Sequence, residues 1–192
     1  MGLRFYVAHG ASGSSASMAA HVRGLARRGI DAEAIDLPVK KAEAAVPAFR
    51  AIVPDAPAAA AAGTAEGQAP NAIAVGGQSY GGRVASLAAA LTDTEYAALV
   101  LFSYPLHPPG SPAKADERTS HWPAIRCPVL LLSGEADPFA KVELLRDHVR
   151  LLGNAELVTY PRLGHTLKPV LEDALDRAAV FLAALDPERA SR

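Results

Sequence analysis

The chain has 192 residues and a mass of 19.9 kDa, half of it hydrophobic and a fifth charged. That is the size and balance of one ordinary globular domain, and it excludes a disordered chain. Nineteen basic side chains face twenty acidic ones, so no basic excess exists to hold a phosphate backbone and nucleic acid is not an expected partner. A single cysteine, Cys127, excludes an internal disulfide framework and a cysteine-rich zinc site. Its place before Pro128 and an apolar strand makes it a packing residue. The N-terminus lacks a myristoylation signal or signal h-region, and no apolar run reaches the length of a membrane span. A cytoplasmic protein is expected, and the Ala- and Arg-rich composition suggests a GC-rich bacterial genome.

Short apolar runs alternate with amphipathic stretches along the whole chain. Residues 3–8 read as a strand, 14–28 as a helix stopped by Gly29, and 32–35 as a second strand. Residues 40–62 read as a helix broken near Pro47 or Pro54, and 63–70 as a loop of small residues. Strands follow at 72–75 and 98–102, with an Ala-rich helix at 80–91 between them. A Pro-rich segment occupies 104–123. Strand 129–132, helix 138–152, strand 156–160 and helix 170–185 complete the chain. Strands apolar on both faces and alternating with helices imply a parallel sheet covered on both sides.

Gly77-Gln78-Ser79-Tyr80-Gly81 is a G-x-S-x-G motif placed between a strand and a helix. In that context it forms a sharp turn that pushes the Ser79 hydroxyl out at the carboxyl edge of the sheet. The flanking residues must be small for strand and helix to pass closely, and Gly76, Gly77, Gly81 and Gly82 meet that need. A serine hydroxyl needs a base, and the base needs an orienting acid. With this motif the acid and the histidine follow the serine in chain order. Four histidines lie downstream: His107, His121, His148 and His165. His148 falls inside a helix and is expected to face solvent. His165, in a loop between the sixth strand and the last helix, is the best placed to reach Ser79.

Asp137 follows the fifth strand and is the better acid, with Glu135 as the alternative. Asp137 also precedes Pro138, so a helix cap competes for the same oxygens. Donors for an oxyanion are expected from the backbone N–H groups of Ala11, in the run His9-Gly10-Ala11-Ser12-Gly13, and of Tyr80. Ser12 or Ser14 could substitute. His9 is read as holding that loop. The 104–123 segment starts at the carboxyl end of a strand, where open α/β sheets bind ligands. His107, Arg118, His121 and Trp122 sit on it, and two readings stand: a wall of a substrate pocket, with His107 near Ser79 and with His9 and Ser12 as further pocket candidates, or a rigid connection whose Trp122 fills the core. No histidine–carboxylate cluster has metal-ligand spacing, and no phosphate-binding glycine motif occurs.

Taken together, these residues resemble the α/β-hydrolase superfamily over nearly the whole chain. Within it, the chain looks like the small capless branch near dienelactone hydrolases. It is similar to the group containing testis-expressed protein 30 and the hydrolase-like subunit of the NSL histone-acetyltransferase complex. That narrower likeness rests on His9-Gly10-Ala11-Ser12-Gly13, on Gln78-Ser79-Tyr80-Gly81-Gly82-Arg83, and on the run Phe102-Ser103-Tyr104-Pro105-Leu106-His107-Pro108-Pro109-Gly110.

The resemblance implies a minimal α/β fold: a mainly parallel sheet of about six strands, lacking the family's first two, with helices on both faces and no cap domain. It also implies a serine hydrolase, built on Ser79, Asp137 and His165, that cleaves a small acyl ester or thioester without a cofactor. Dienelactone hydrolases carry Cys where this chain has Ser79, so lactone hydrolysis is not implied. The competing expectation is a hydrolase-like scaffold that binds a partner without catalysis. An exposed edge strand offers a route to a homodimer.

Overall fold

The computed structural model describes residues 2–54 and 72–186. Six strands form one sheet in the order β2-β1-β3-β4-β5-β6, and every adjacent pair is parallel. They are β1 (Leu3–Ala8), β2 (Asp31–Ile35), β3 (Ala72–Gln78), β4 (Ala98–Phe102), β5 (Val129–Gly134) and β6 (Ala155–Tyr160). The six-stranded parallel α/β architecture expected from the alternation is present. Among the described residues, no helix is long and apolar enough to cross a membrane.

Side chains alternate across each strand, so the sheet carries two cores. Phe5, Val7, Val100, Phe102, Leu130 and Leu132 point to one face, which is covered by α1 (Ala19–Ala26) and α6 (Leu171–Ala184). Tyr6, Val75, Leu99, Leu101 and Leu131 point to the other, covered by α2 (Ala42–Ile52), α3 (Tyr80–Ala89) and α5 (Val142–His148). Helix α6 seals its face with Ala174, Leu175, Ala178 and Leu182, a stripe at helical spacing.

Element ends differ from the sequence expectation for local chemical reasons. The first helix begins as a 3₁₀ turn, Ser15–Met18, before α1. Asp36 accepts from both the Ser15 N–H and its hydroxyl, and the Ser17 hydroxyl donates to Ser14 O at 2.6 Å; such side-chain bonds compete with regular helix. Pro47 lies inside α2 without breaking it, and the helix ends at Ile52, next to the other expected break at Pro54; residues 55–62 and the expected loop 63–70 lie outside the described residues. β3 runs through Gly76 and Gly77 to Gln78, so these glycines belong to the strand and not to the turn. The helix expected from Pro138 starts only at Val142: the Phe139 N–H donates to Asp137 Oδ1 and the Lys141 N–H to His107 Nε2. The 104–123 segment contains a 3₁₀ turn, Pro112–Lys114, and the short α4 (Ala115–Thr119).

The glycines mark where backbones nearly touch. A Cβ on Gly77 would stand 2.6–2.7 Å from backbone atoms of Ala8, Gly81 and Gly82. One on Gly81 would stand 2.6 Å from the Ala8 and His9 carbonyls. Neither neighbour is a flexible side-chain end, so the strand and helix would have to part. Gly77→Ala is expected to destabilise the fold by about 3 kcal/mol, the upper range for overpacking, read as a lower urea midpoint. An unchanged midpoint would show that these backbones have slack.

Candidate active site

Ser79 joins β3 to α3 with φ 50° and ψ −113°, a conformation L side chains rarely adopt. Its N–H donates to Phe102 O at 2.9 Å, and its carbonyl accepts the Arg83 N–H at 3.0 Å, so the turn is fixed from both sides. Tyr80, the first residue of α3, anchors the neighbouring loop: its hydroxyl donates to Pro38 O at 2.7 Å and accepts from Lys40 N–H at 3.3 Å.

His165 meets Ser79 from the loop after β6. Its Nε2 lies 2.8 Å from Ser79 Oγ, and its Nδ1 lies 2.7 Å from Asp137 Oδ2. With Nδ1 protonated toward the carboxylate, Nε2 is free to accept the serine proton. Phe139 packs against the imidazole with the rings tilted by 40°, 4.5 Å between ring centres. Asp137 is buried, and its two oxygens divide the two roles that the sequence left in competition. Oδ2 faces His165, while Oδ1 accepts the Phe139 N–H at 2.8 Å. Glu135, the alternative acid, is engaged elsewhere by the Thr159 hydroxyl and Arg146.

Gly10 packs against Ser79; a Cβ there would stand 3.9 Å from Ser79 Cβ. Residues 10–13 form a turn closed by the Gly13 N–H on Gly10 O at 3.0 Å, which carries Ala11 and Ser12 on its exposed side. His9 is 2% exposed and both ring nitrogens are used: Nδ1 donates to Gly10 O at 2.7 Å and Nε2 accepts from Leu37 N–H at 3.0 Å.

Two cavities flank the Ser79–His165 pair. One, of about 590 Å³, is lined by Ser79, Tyr80, Lys40, Lys41, Glu43, Arg83, Pro105, Glu117, Arg118 and Phe139. The other, of about 270 Å³, is mostly apolar and reaches Gln78 and Thr166, the chain neighbours of Ser79 and His165, with His21, Phe102, Ser103, Leu167 and Leu171 around it. The 104–123 segment thus supplies part of a cavity wall through Pro105, Glu117 and Arg118.

The pocket reading of four side chains requires correction, while Trp122 in the core and His9 holding its loop match the other reading given to each. His9, His107 and Trp122 are buried and Ser12 is exposed, and none of the four lines either cavity. His107 donates from Nδ1 to Pro108 O at 2.9 Å and accepts the Lys141 N–H on Nε2 at 3.1 Å, so its ring ties two loops together. Trp122 packs edge-on against Tyr104 in the core, 5.1 Å between ring centres. His148 does not face solvent either; it is largely covered, with Asp116 2.9 Å from its Nε2.

Lys40, Lys41, Glu43, Arg83 and Arg118 were not singled out by sequence as a group. Arg118 lay on the segment read as a possible pocket wall, and Arg83 lies four residues beyond Ser79, on the same helix face. Burial pushes the Cys127 thiol up to about 11, so it stays protonated at neutral pH. Among the described residues, no group of three His, Cys, Asp or Glu side chains could hold a metal.

This geometry accompanies a family match: residues 2–187 match the profile of the alpha/beta hydrolase domain family. The chain belongs to the α/β-hydrolase family. Its fold is similar to that of a monoacylglycerol lipase from Paleococcus ferrophilus, with a TM-score of 0.75 at 14% identity over 95% of this chain and 94% of the other. Est1E from Butyrivibrio proteoclasticus, a structure with ferulic acid bound, gives 0.68 at 17% identity over 94% and 89%. A dienelactone hydrolase from Anabaena variabilis gives 0.66 at 22% identity over 92% and 83%. No curated protein matches the sequence.

Two imidazoles beside the site are held neutral. Burial pushes His21 down to about 4, and burial aided by the Arg83 charge does the same to His121. Unfolded, both would take a proton near pH 6.5, so between pH 6.5 and 4 the unfolded chain binds more protons than the folded one. Stability is therefore expected to fall as pH drops through that window, by up to about 1.4 kcal/mol per pH unit for each imidazole. Urea midpoints between pH 6.5 and 4.5 test this, and His21→Phe should flatten the slope. A wild-type slope that is already flat would contradict it.

Proposed function

We propose that the protein is a serine hydrolase acting on a carboxylic ester or thioester of a small acyl substrate. The observation that carries this reading is the continuous hydrogen-bonded line from Ser79 Oγ through His165 to the buried Asp137 carboxylate. Names of the structural neighbours, which include a lipase and esterases, support the same reaction class.

Ser79 Oγ attacks the acyl carbonyl carbon as its proton passes to His165 Nε2. The new C–O bond forms, and the carbonyl oxygen becomes an oxyanion stabilised by the backbone N–H groups of Ala11 and Tyr80. The resulting imidazolium is stabilised by Asp137 and returns its proton to the departing alcohol or thiol as that bond breaks. Water then attacks the acyl-enzyme, His165 takes its proton, and the acid leaves as Ser79 recovers its hydrogen. Asp137 fixes the ring tautomer throughout, which its division of labour permits without releasing the Phe139 N–H.

The first experiment is intact-mass labelling with a fluorophosphonate, alongside hydrolysis of short p-nitrophenyl esters. A single adduct is expected on wild type and none on Ser79→Ala. Asp137→Asn leaves a similar shape but favours the wrong tautomer, so kcat is expected to fall by about 10⁴-fold. Absence of an adduct on folded wild type would overturn the hydrolase reading in favour of a partner-binding scaffold.

A further inference from the structure

The larger cavity is charged in an unusual way for the surroundings of a nucleophile. Lys40, Lys41, Arg83 and Arg118 line it together with Ser79, against two carboxylates, Glu43 and Glu117. Glu43 is already committed: its carboxylate holds one arm of Arg83 and its own backbone N–H. The other arm of Arg83 is different. The side chain is only 13% exposed, and its Nη1 is buried without a hydrogen-bond partner among the described residues. A buried guanidinium N–H left unpaired is costly, and a carboxylate is the group that fits its fork.

Burial opposes the charge on Arg118, and the nearby Arg83 charge opposes it further. One arm of Arg118 is held by Pro105 O at 2.9 Å. Two guanidinium groups brought together repel; Glu43, which holds Arg83, and Glu117 offset part of that repulsion, but among the described residues no carboxylate forms an ion pair with Arg118. The buried groups around them add no negative charge: His121 is neutral with Ser86 at 2.9 Å, and Tyr104 keeps its phenol proton, donating it to Arg118 O.

We propose that this cavity is an anion subsite, so that the preferred substrate is an ester or thioester whose short chain ends in a carboxylate, held by Arg83 and Arg118. The proposal rests on Ser79 being the nucleophile. Arg83 lies one helical turn beyond Ser79, a rise of about 6 Å along α3. A carboxylate a few bonds from the scissile carbonyl therefore spans the distance. Lys40 and Lys41, at the rim, would draw such anions in, an effect that salt screens.

The test compares mono-p-nitrophenyl glutarate with p-nitrophenyl pentanoate, two acyl chains of equal length that differ in a terminal carboxylate. Fluorophosphonate labelling of Ser79 runs in parallel. In wild type at low salt, kcat/KM is expected to favour the glutarate ester by about tenfold or more, roughly the value of one charge-assisted bond. The ratio should shrink with added salt and approach one in Arg118→Gln, with partial retention in Arg118→Lys. A ratio of one or less on a protein that labels at Ser79, or turnover of neither ester by such a protein, overturns the anion subsite and leaves the hydrolase reading standing. No labelling overturns both.

Discussion

The backbones of β1, β3 and α3 meet at the carboxyl edge of the sheet more closely than any side chain permits. Gly77 and Gly81 face backbone atoms of Ala8 and His9 at distances where a Cβ has no room. This close approach makes the Ser79 turn so abrupt, and the bond from its N–H to Phe102 O holds it in its left-handed conformation. Everything at the site is then placed by reference to it. β4 lies alongside as the acceptor, the Gly10 turn packs against the serine, and β5 and β6 end where Asp137 and His165 can reach it.

The loops around this edge are held by histidines and an aspartate acting on backbone N–H groups. His9 takes the Leu37 N–H, His107 the Lys141 N–H, and Asp137 the Phe139 N–H. Buried imidazoles with both nitrogens used lose mobility, and that rigidity passes to the segments they join. The result is a site whose two sides differ. One side is apolar, between α1 and α6. The other is charged, between α2, α3 and α4, with an excess of guanidinium and ammonium groups.

The fold was largely legible because buried parallel strands are apolar on both faces and the glycine cluster marks the sharpest turn. The grouping of Ser79, Asp137 and His165 was legible for a different reason: their order along the chain follows the order of the strand ends that carry them. Element ends were harder to read. Asp36 lies 21 residues from Ser15 and pulls the first helix into a 3₁₀ turn, which no local propensity reveals. His107 and Trp122 stood between two readings for the same reason. A histidine on a Pro-rich segment reads equally as ligand or brace until its two backbone partners are known. The Arg83–Arg118 pair is 35 residues apart in sequence, and only tertiary packing brings it to the serine.

The central claim is that the Ser79 turn presents an activated hydroxyl beside backbone donors for an oxyanion. A crystal structure of the phosphonylated protein tests it most directly. The account predicts phosphorus bonded to Ser79 Oγ, with one phosphonyl oxygen about 3 Å from the N–H groups of Ala11 and Tyr80 and His165 still on Asp137. A phosphonyl oxygen turned to solvent, away from both N–H groups, would contradict it.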